Sequence, residues 1–91
     1  MAEFEWDEEK NRQNRAKHGI SFAEAASVFD GDYMSIEDEG SYDEAREKTF
    51  GLVRGILVVC VVHTDRDGVI RIISARRATP NERRLYDDHI R

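Results

Sequence analysis

The chain is poor in the residues that usually announce a cofactor, a staple or a membrane. Among its 91 residues there is one cysteine, Cys60, so no intrachain disulfide can form. The three histidines, His18, His63 and His89, are spread along the chain, and Cys60 has no C-x-x-C partner, so no metal site is expected. No glycine-rich nucleotide loop is present; Gly51 and Gly55 read as hairpin residues, and no cofactor is expected. The longest apolar run, Ile56 to Val62, falls far short of the roughly 20 residues that cross a bilayer. The first residues, Met-Ala-Glu-Phe-Glu-Trp-Asp, lack the basic segment and apolar core of a signal peptide. Internal repeats and low-complexity stretches are also missing. These absences lead us to expect one cytoplasmic domain over residues 1–91, with no membrane contact.

Charge is what the chain has in quantity. Charged residues make up 36% of it and the net charge is −5. That total argues against nucleic-acid binding, but the distribution is uneven. Residues 1–50 hold 14 acids and 6 bases, a balance of −8, whereas residues 51–91 hold 5 acids and 8 bases, a balance of +3. A locally basic face on an acidic protein is therefore possible.

Local signals divide the chain into short elements. Phe4-Glu5-Trp6 alternates like a brief strand, with Trp6 directed to a core. Asp7 offers an N-cap, Glu8 and Glu9 occupy the first turn, and Gly19 ends a helix over Asp7–His18. This helix is almost wholly polar, with only Ala16 and long side-chain stems available to pack, so it needs anchoring from its flanks or presents a face to a partner. Ser21-Phe22-Ala23-Glu24 is a capping box opening a helix to about Phe29, whose Phe22, Ala25, Ala26 and Phe29 form an apolar stripe. Tyr33–Ile36 reads as a short strand, Glu37–Glu44 as an exposed acidic loop, and Arg46–Arg54 as a strand of mixed pattern. Ile56–Thr64 is continuously apolar and β-branched, hence central. Asp65–Gly68 is a turn, and Val69–Arg76 pairs back. Thr79, Pro80 and Glu82 start a last helix with a cap, an N1 proline and a capping box. The expected fold is α+β: an antiparallel sheet of three to four strands, with two N-terminal helices and one C-terminal helix.

The strand from Val69 is the chemically unusual part. It carries Arg71 within an apolar run and Arg76 and Arg77 at its end, and a buried guanidinium must find solvent, an acid or an anionic ligand. Lys48 and Arg54 lie on an earlier strand. His63 lies near the end of the central strand, on the face of Val59 and Val61 and opposite Cys60, which reads as a packed thiol. If the last strand is regular, Arg71 and Arg77 share a face; a bulge would put Arg76 there instead. Cations, a titratable histidine and the Tyr86 hydroxyl could cleave RNA without metal. The 2′-hydroxyl would attack phosphorus as a base removes its proton, while cations stabilise the developing charge and an acid protonates the departing 5′-oxygen. On these residues alone an enzyme and a non-catalytic binding module fit about equally well.

A resemblance separates the two. Phe4-Glu5-Trp6-Asp7, Asn14, Lys17-His18-Gly19-Ile20-Ser21-Phe22 and Ala25-Ala26-Ser27-Val28-Phe29-Asp30 resemble the N-terminal half of the BrnT toxin family. Arg46-Glu47-Lys48, Leu57-Val58-Val59, His63-Thr64, Ile70–Thr79, Glu82-Arg83 and Tyr86 resemble its C-terminal half. The resemblance implies a RelE-like fold and a ribonuclease toxin that arrests translation. It also implies neutralisation by a BrnA-like ribbon-helix-helix antitoxin, with DNA contacted only through that antitoxin. It places Lys48, His63, Arg71, Arg76 and Arg77 near the scissile phosphate, and Arg54, Arg83 and Tyr86 along the RNA, free or ribosome-associated. The family often carries arginine where this chain has Lys48, which keeps the charge but not the bidentate grip on phosphate.

Overall fold

A computed structural model describes residues 3–40 and 44–90. The chain runs β1 (Glu3–Glu5), α1 (Glu8–His18), α2 (Phe22–Ala26), a 3₁₀ turn (Ser27–Asp30), β2 (Met34–Asp38), β3 (Arg46–Val53), β4 (Leu57–Arg66), β5 (Val69–Arg77) and α3 (Pro80–Ile90). No helix among the described residues is long and apolar enough to cross a membrane.

The helix starts follow the local chemistry. Asp7 accepts from the backbone N–H groups of Glu9 and Lys10 at 2.9 and 3.1 Å, and Gly19 ends α1 in the left-handed conformation. Ser21 and Glu24 close a reciprocal capping box on α2. Thr79 and Glu82 do the same for α3, at 2.8 and 3.2 Å.

The sheet has five strands in the order β1-β5-β4-β3-β2, rather than the three or four expected. The extra strand is β1, which pairs parallel to the start of β5, with Phe4 opposite Ile70. The other pairs are antiparallel. The β4–β5 turn is tighter than Asp65–Gly68: the strands run through Arg66 and from Val69, leaving Asp67 and Gly68, both at positive φ, as a two-residue turn. Glu37 and Asp38 belong to β2 rather than to the acidic loop, because they pair with Glu47 and Arg46; residues 41–43 of that loop lie outside the described residues.

Opposed residues in a ladder share a face, so the register divides the sheet into two surfaces. Val59, Val61, Ile72, Ala75 and Gly51 face one way, under α1, α2 and the 3₁₀ turn, and build the larger core with Ile20, Phe22, Ala25 and Val28. Phe50, Val58 and Cys60 face the other way, under α3, and form a smaller core with Tyr86. Trp6 packs against the larger core, edge-on to Phe22 at 6.2 Å.

Two residues behave unlike their expected roles because of long-range packing. Gly51 is not in a hairpin but in the middle of β3, where an added Cβ would stand 2.5 Å from Val28 Cγ1; the 3₁₀ turn crosses the strand too closely for a side chain. In α1, Ala16 is exposed and the buried residue is Asn14. Its amide donates to Ile20 O at 2.9 Å and to Ala75 O at 2.8 Å, and its Oδ1 accepts from Ala75 N at 3.1 Å. The carboxamide thus takes the place of a neighbouring strand's peptide group where β1 has ended, which satisfies the β5 edge and anchors a helix that has no apolar face.

Candidate active site

The site is built on the sheet face that α3 only partly covers. One residue decides its composition. Val62 pairs with Ser74 and His63 pairs with Ile72, so Ile73 is left out of the ladder as a bulge. Below the bulge Arg76 opposes Cys60, and above it Arg71 opposes Thr64. Cys60, Val62 and Thr64 alternate on one face of β4, so Arg71, Ser74 and Arg76 share that face. Lys48 joins them from β3, opposite Val62. Arg77 opposes Val59 and points to the helix-covered face.

The half-buried Val62 and Ser74 form a floor, with Lys48 beside it and Arg71 and Arg76 at either end. The three cations are held differently. Arg71 stands 3.6 Å from Glu5, and both side chains are well exposed. Lys48 lies 4.0 Å from Asp38, at the limit of an ion pair. Arg76 is clamped: its two terminal nitrogens donate to the two oxygens of Glu82 at 2.7 and 3.0 Å, and Nη1 also donates to the carbonyl of Arg77 at 3.2 Å. The same Glu82 carboxylate accepts the Thr79 N–H that starts α3. The Arg76 hydrogen bond holds the Glu82 carboxyl down at about 2, and raises the already high value of Arg76. Three of the five guanidinium N–H groups are engaged, so the rest remain available to a ligand while the pair itself is neutral. Lys48 and Arg71, whose acidic partners are more distant, are the cations on this face most readily turned to a ligand.

The other expected site residues are placed elsewhere. His63 is 1% exposed on the helix-covered face. Its Nε2 bonds Thr49 Oγ1 at 2.7 Å, its Nδ1 bonds Asp65 Oδ1 at 2.9 Å, and its ring meets Phe29 edge-on at 5.2 Å. Thr49 Oγ1 continues to Ser35 Oγ at 2.6 Å, so a hydrogen-bonded line ties β4, β3 and β2 together. Tyr86 is buried and donates its hydroxyl to Asp32 O at 3.0 Å, which fixes α3 to the segment before β2. Arg54 sits at the β3–β4 hairpin and pairs with Glu24 of α2. Arg83 is exposed on α3, beside Pro80, Arg84 and Asp87. Cys60 is fully buried in the smaller core, and burial pushes its thiol up to about 11. Among the described residues no group of three or more histidine, cysteine or acidic side chains is arranged to hold a metal ion.

Sequence reasoning missed Ser74 and Asn14 as organising residues. Glu82 was visible as a capping residue and as an acid within reach of the adjacent arginines; the turn at Ala78–Thr79, which brings α3 back over Arg76, decides that Arg76 is the one it clamps. Ser74 was hidden by the assumption of a regular strand. A cleft of about 560 Å³ lies elsewhere, along β2, and is lined mostly by acids, among them Glu37, Asp38, Glu44, Glu47 and Asp65, with Arg46. Its charge repels a phosphodiester, so the cation-bearing face is the better site for one.

The family model for the BrnT ribonuclease toxins of type II toxin–antitoxin systems matches residues 6–82. The chain belongs to that family. It is a ribonuclease toxin, with RNA as its substrate and an antitoxin as its partner. No curated protein matches it. Among solved structures it is similar to the ribonuclease toxin BrnT of Brucella abortus, with 24% identity over 87% of this chain and 99% of that one. The TM-score of 0.65 shows a shared fold. The family match spans α1, the whole sheet from β2 to β5, and Glu82 itself, so the clamp on Arg76 lies within it.

Proposed function

We propose that the Lys48–Arg71–Arg76 face cleaves an RNA phosphodiester by attack of the adjacent 2′-hydroxyl on phosphorus, without a metal ion. The observation that carries this reading is the bulge at Ile73, which gathers Arg71, Ser74 and Arg76 on the face of Lys48. The phosphate lies over Val62 and Ser74. Lys48 and Arg71 stabilise the charge that grows on the non-bridging oxygens in the transition state. Arg76 contributes oriented donors, since Glu82 has already fixed its plane. As the 2′-oxygen bonds to phosphorus its proton passes to solvent, and as the P–O5′ bond breaks the Lys48 ammonium gives a proton to the departing 5′-oxygen and is reprotonated from solvent. The 2′,3′-cyclic phosphate and a free 5′-hydroxyl are the products. His63 acts through structure: its bond to Thr49 fixes β3 next to Lys48, and it does not touch the RNA.

In this reading the toxin arrests translation in the cytoplasm, on RNA that is free or ribosome-associated. A BrnA-like ribbon-helix-helix antitoxin neutralises it, and the pair reaches DNA only through the antitoxin. The test is induction of the toxin with and without that antitoxin, together with cleavage of RNA by purified protein in EDTA. Growth arrest and EDTA-resistant cleavage with cyclic-phosphate ends are expected. A pure protein that is inert in both assays would overturn the reading, and a loss of cleavage in EDTA would overturn its metal independence.

A further inference from the structure

We propose that a groove between α1 and the bulged edge of β5 binds the RNA backbone beyond the cleaved phosphate, an inference that rests on the ribonuclease reading above. The groove encloses about 290 Å³ and is lined by Lys10, Gln13, Lys17 and His18 from α1 and by Ile73 and Ser74 from β5. Lys10, Gln13 and Lys17 fall at i, i+3 and i+7, so they form one stripe on the helix. No acid lines the groove.

The cations here have little competition. The acids at the start of α1 do not line the groove: Glu8 accepts from Trp6 and Asn11, and Glu9 is paired with Arg12 and reaches the groove only through a 3.3 Å bond from Gln13. Neither Lys10 nor Lys17 forms an ion pair with a described residue. On a protein of net charge −5, a groove with two free lysines and a histidine but no acid is the opposite of the acidic cleft along β2. It also accounts for the polarity of α1, which Asn14 anchors to β5 without an apolar face.

The groove is continuous with the site. Lys48, Val62 and Ser74 form one cross-strand row, and Ser74 also lines the groove. Two interstrand spacings put Lys48 about 10 Å from Ser74 across the sheet. A single strand with its reactive phosphate over Val62 and Ser74 can therefore pass over the β5 edge, where the bulge interrupts the ladder, and lay its next phosphates against Lys17 and Lys10. No phenylalanine, tyrosine or tryptophan lines the groove for base stacking, so its lysines touch backbone and leave sequence unread.

The test compares wild type with a Lys10→Ala, Lys17→Ala double variant; both lysines are exposed, and an unchanged melting temperature verifies the fold. Cleavage is measured on RNAs of about 3 and about 20 nucleotides, and binding on 2′-O-methyl RNAs of the same lengths, which lack the attacking hydroxyl. We expect the wild type to prefer the longer RNA by about tenfold in kcat/KM and in affinity, and the double variant to lose that preference. The slope of log affinity against log salt for the longer RNA should fall by about 1.4, about 0.7 for each phosphate that a lysine no longer neutralises. A double variant that keeps the length preference and the slope overturns the proposal. So does one whose sole defect is weaker binding of the antitoxin encoded beside the toxin, which would make the groove an antitoxin-binding surface. A wild type that binds 2′-O-methyl RNA with this length dependence but cleaves no RNA defeats the ribonuclease reading and leaves the groove standing.

Discussion

The two faces of the sheet hold their charged and polar side chains in opposite ways. On the helix-covered face, His63, Thr49 and Asn14 are buried and each is tied to fixed partners. On the other face, Lys48 and Arg71 are held only by loose ion pairs at 4.0 and 3.6 Å. A buried polar group must be fully bonded or the fold loses stability, whereas a surface cation with a weak partner can exchange it for a ligand at little cost. The first pattern is that of a scaffold and the second that of a binding site. Arg76 lies between them, since it is clamped by Glu82 yet keeps free donors.

Substitutions should separate the faces by what they damage. The largest effect is expected from Lys48→Ala combined with Arg71→Ala: kcat should fall by about 10²–10³-fold, in line with removal of transition-state charge stabilisation, while the melting temperature stays unchanged. Steady-state cleavage and calorimetry on one preparation would check both halves; equal loss of stability would erase the distinction between the faces.

On the covered face the order reverses. Asn14→Ala leaves Ala75 N–H and C=O and Ile20 C=O without their partner, and about 3 kcal/mol of stability should be lost in urea unfolding. Gly51→Ala should cost about 1–3 kcal/mol by forcing Val28 aside, and Val28→Ala should recover part of it in a double-mutant cycle. Additive behaviour would show that the close approach at Gly51 is not the cause.

The intermediate case sharpens through pH. The Glu82 carboxyl is held at about 2 in the folded chain, below its ordinary value near 4.5. A depressed carboxyl binds fewer protons folded than unfolded, so its contribution is complete above about pH 4.5 and is lost as pH falls toward 2. After solvent screening of a pair that is partly exposed, the contribution is about 2 kcal/mol. Glu82→Gln should flatten stability between those pH values and keep much of the helix cap; an unchanged acid limb would mean that other carboxylates carry it. The smallest expected difference separates neighbours. Arg76→Ala should reduce cleavage by at least about tenfold and Arg77→Ala by less than about threefold, because the bulge puts Arg77 on the covered face. The reverse order would place the phosphate on the wrong side of β5.

Much of the architecture follows from short stretches. The caps at Asp7, Ser21 and Thr79 and the stop at Gly19 each depend on a side chain and backbone groups within a few residues. The alternation of β4, with His63 on the face of Val59 and Val61, is likewise a local property. The site was only half legible for the same reason. The residue types were visible, but their sides depend on parity. Side chains alternate with period 2 along a strand, so one inserted residue reverses every assignment beyond it.

The sequence by itself therefore determined the elements, the central strand, the family resemblance and the cations available for phosphate. Only the tertiary structure decided that Ile73 leaves the ladder, that Arg76 rather than Arg77 stands with Arg71, and that His63 is locked beneath the sheet. It alone placed β1 parallel to β5 and sent Asn14 of a polar helix to complete that edge. The physical reason is range: caps and turns are settled by neighbours in the chain, whereas register and burial are settled by segments about 10 to 60 positions away, which must satisfy every backbone group at once.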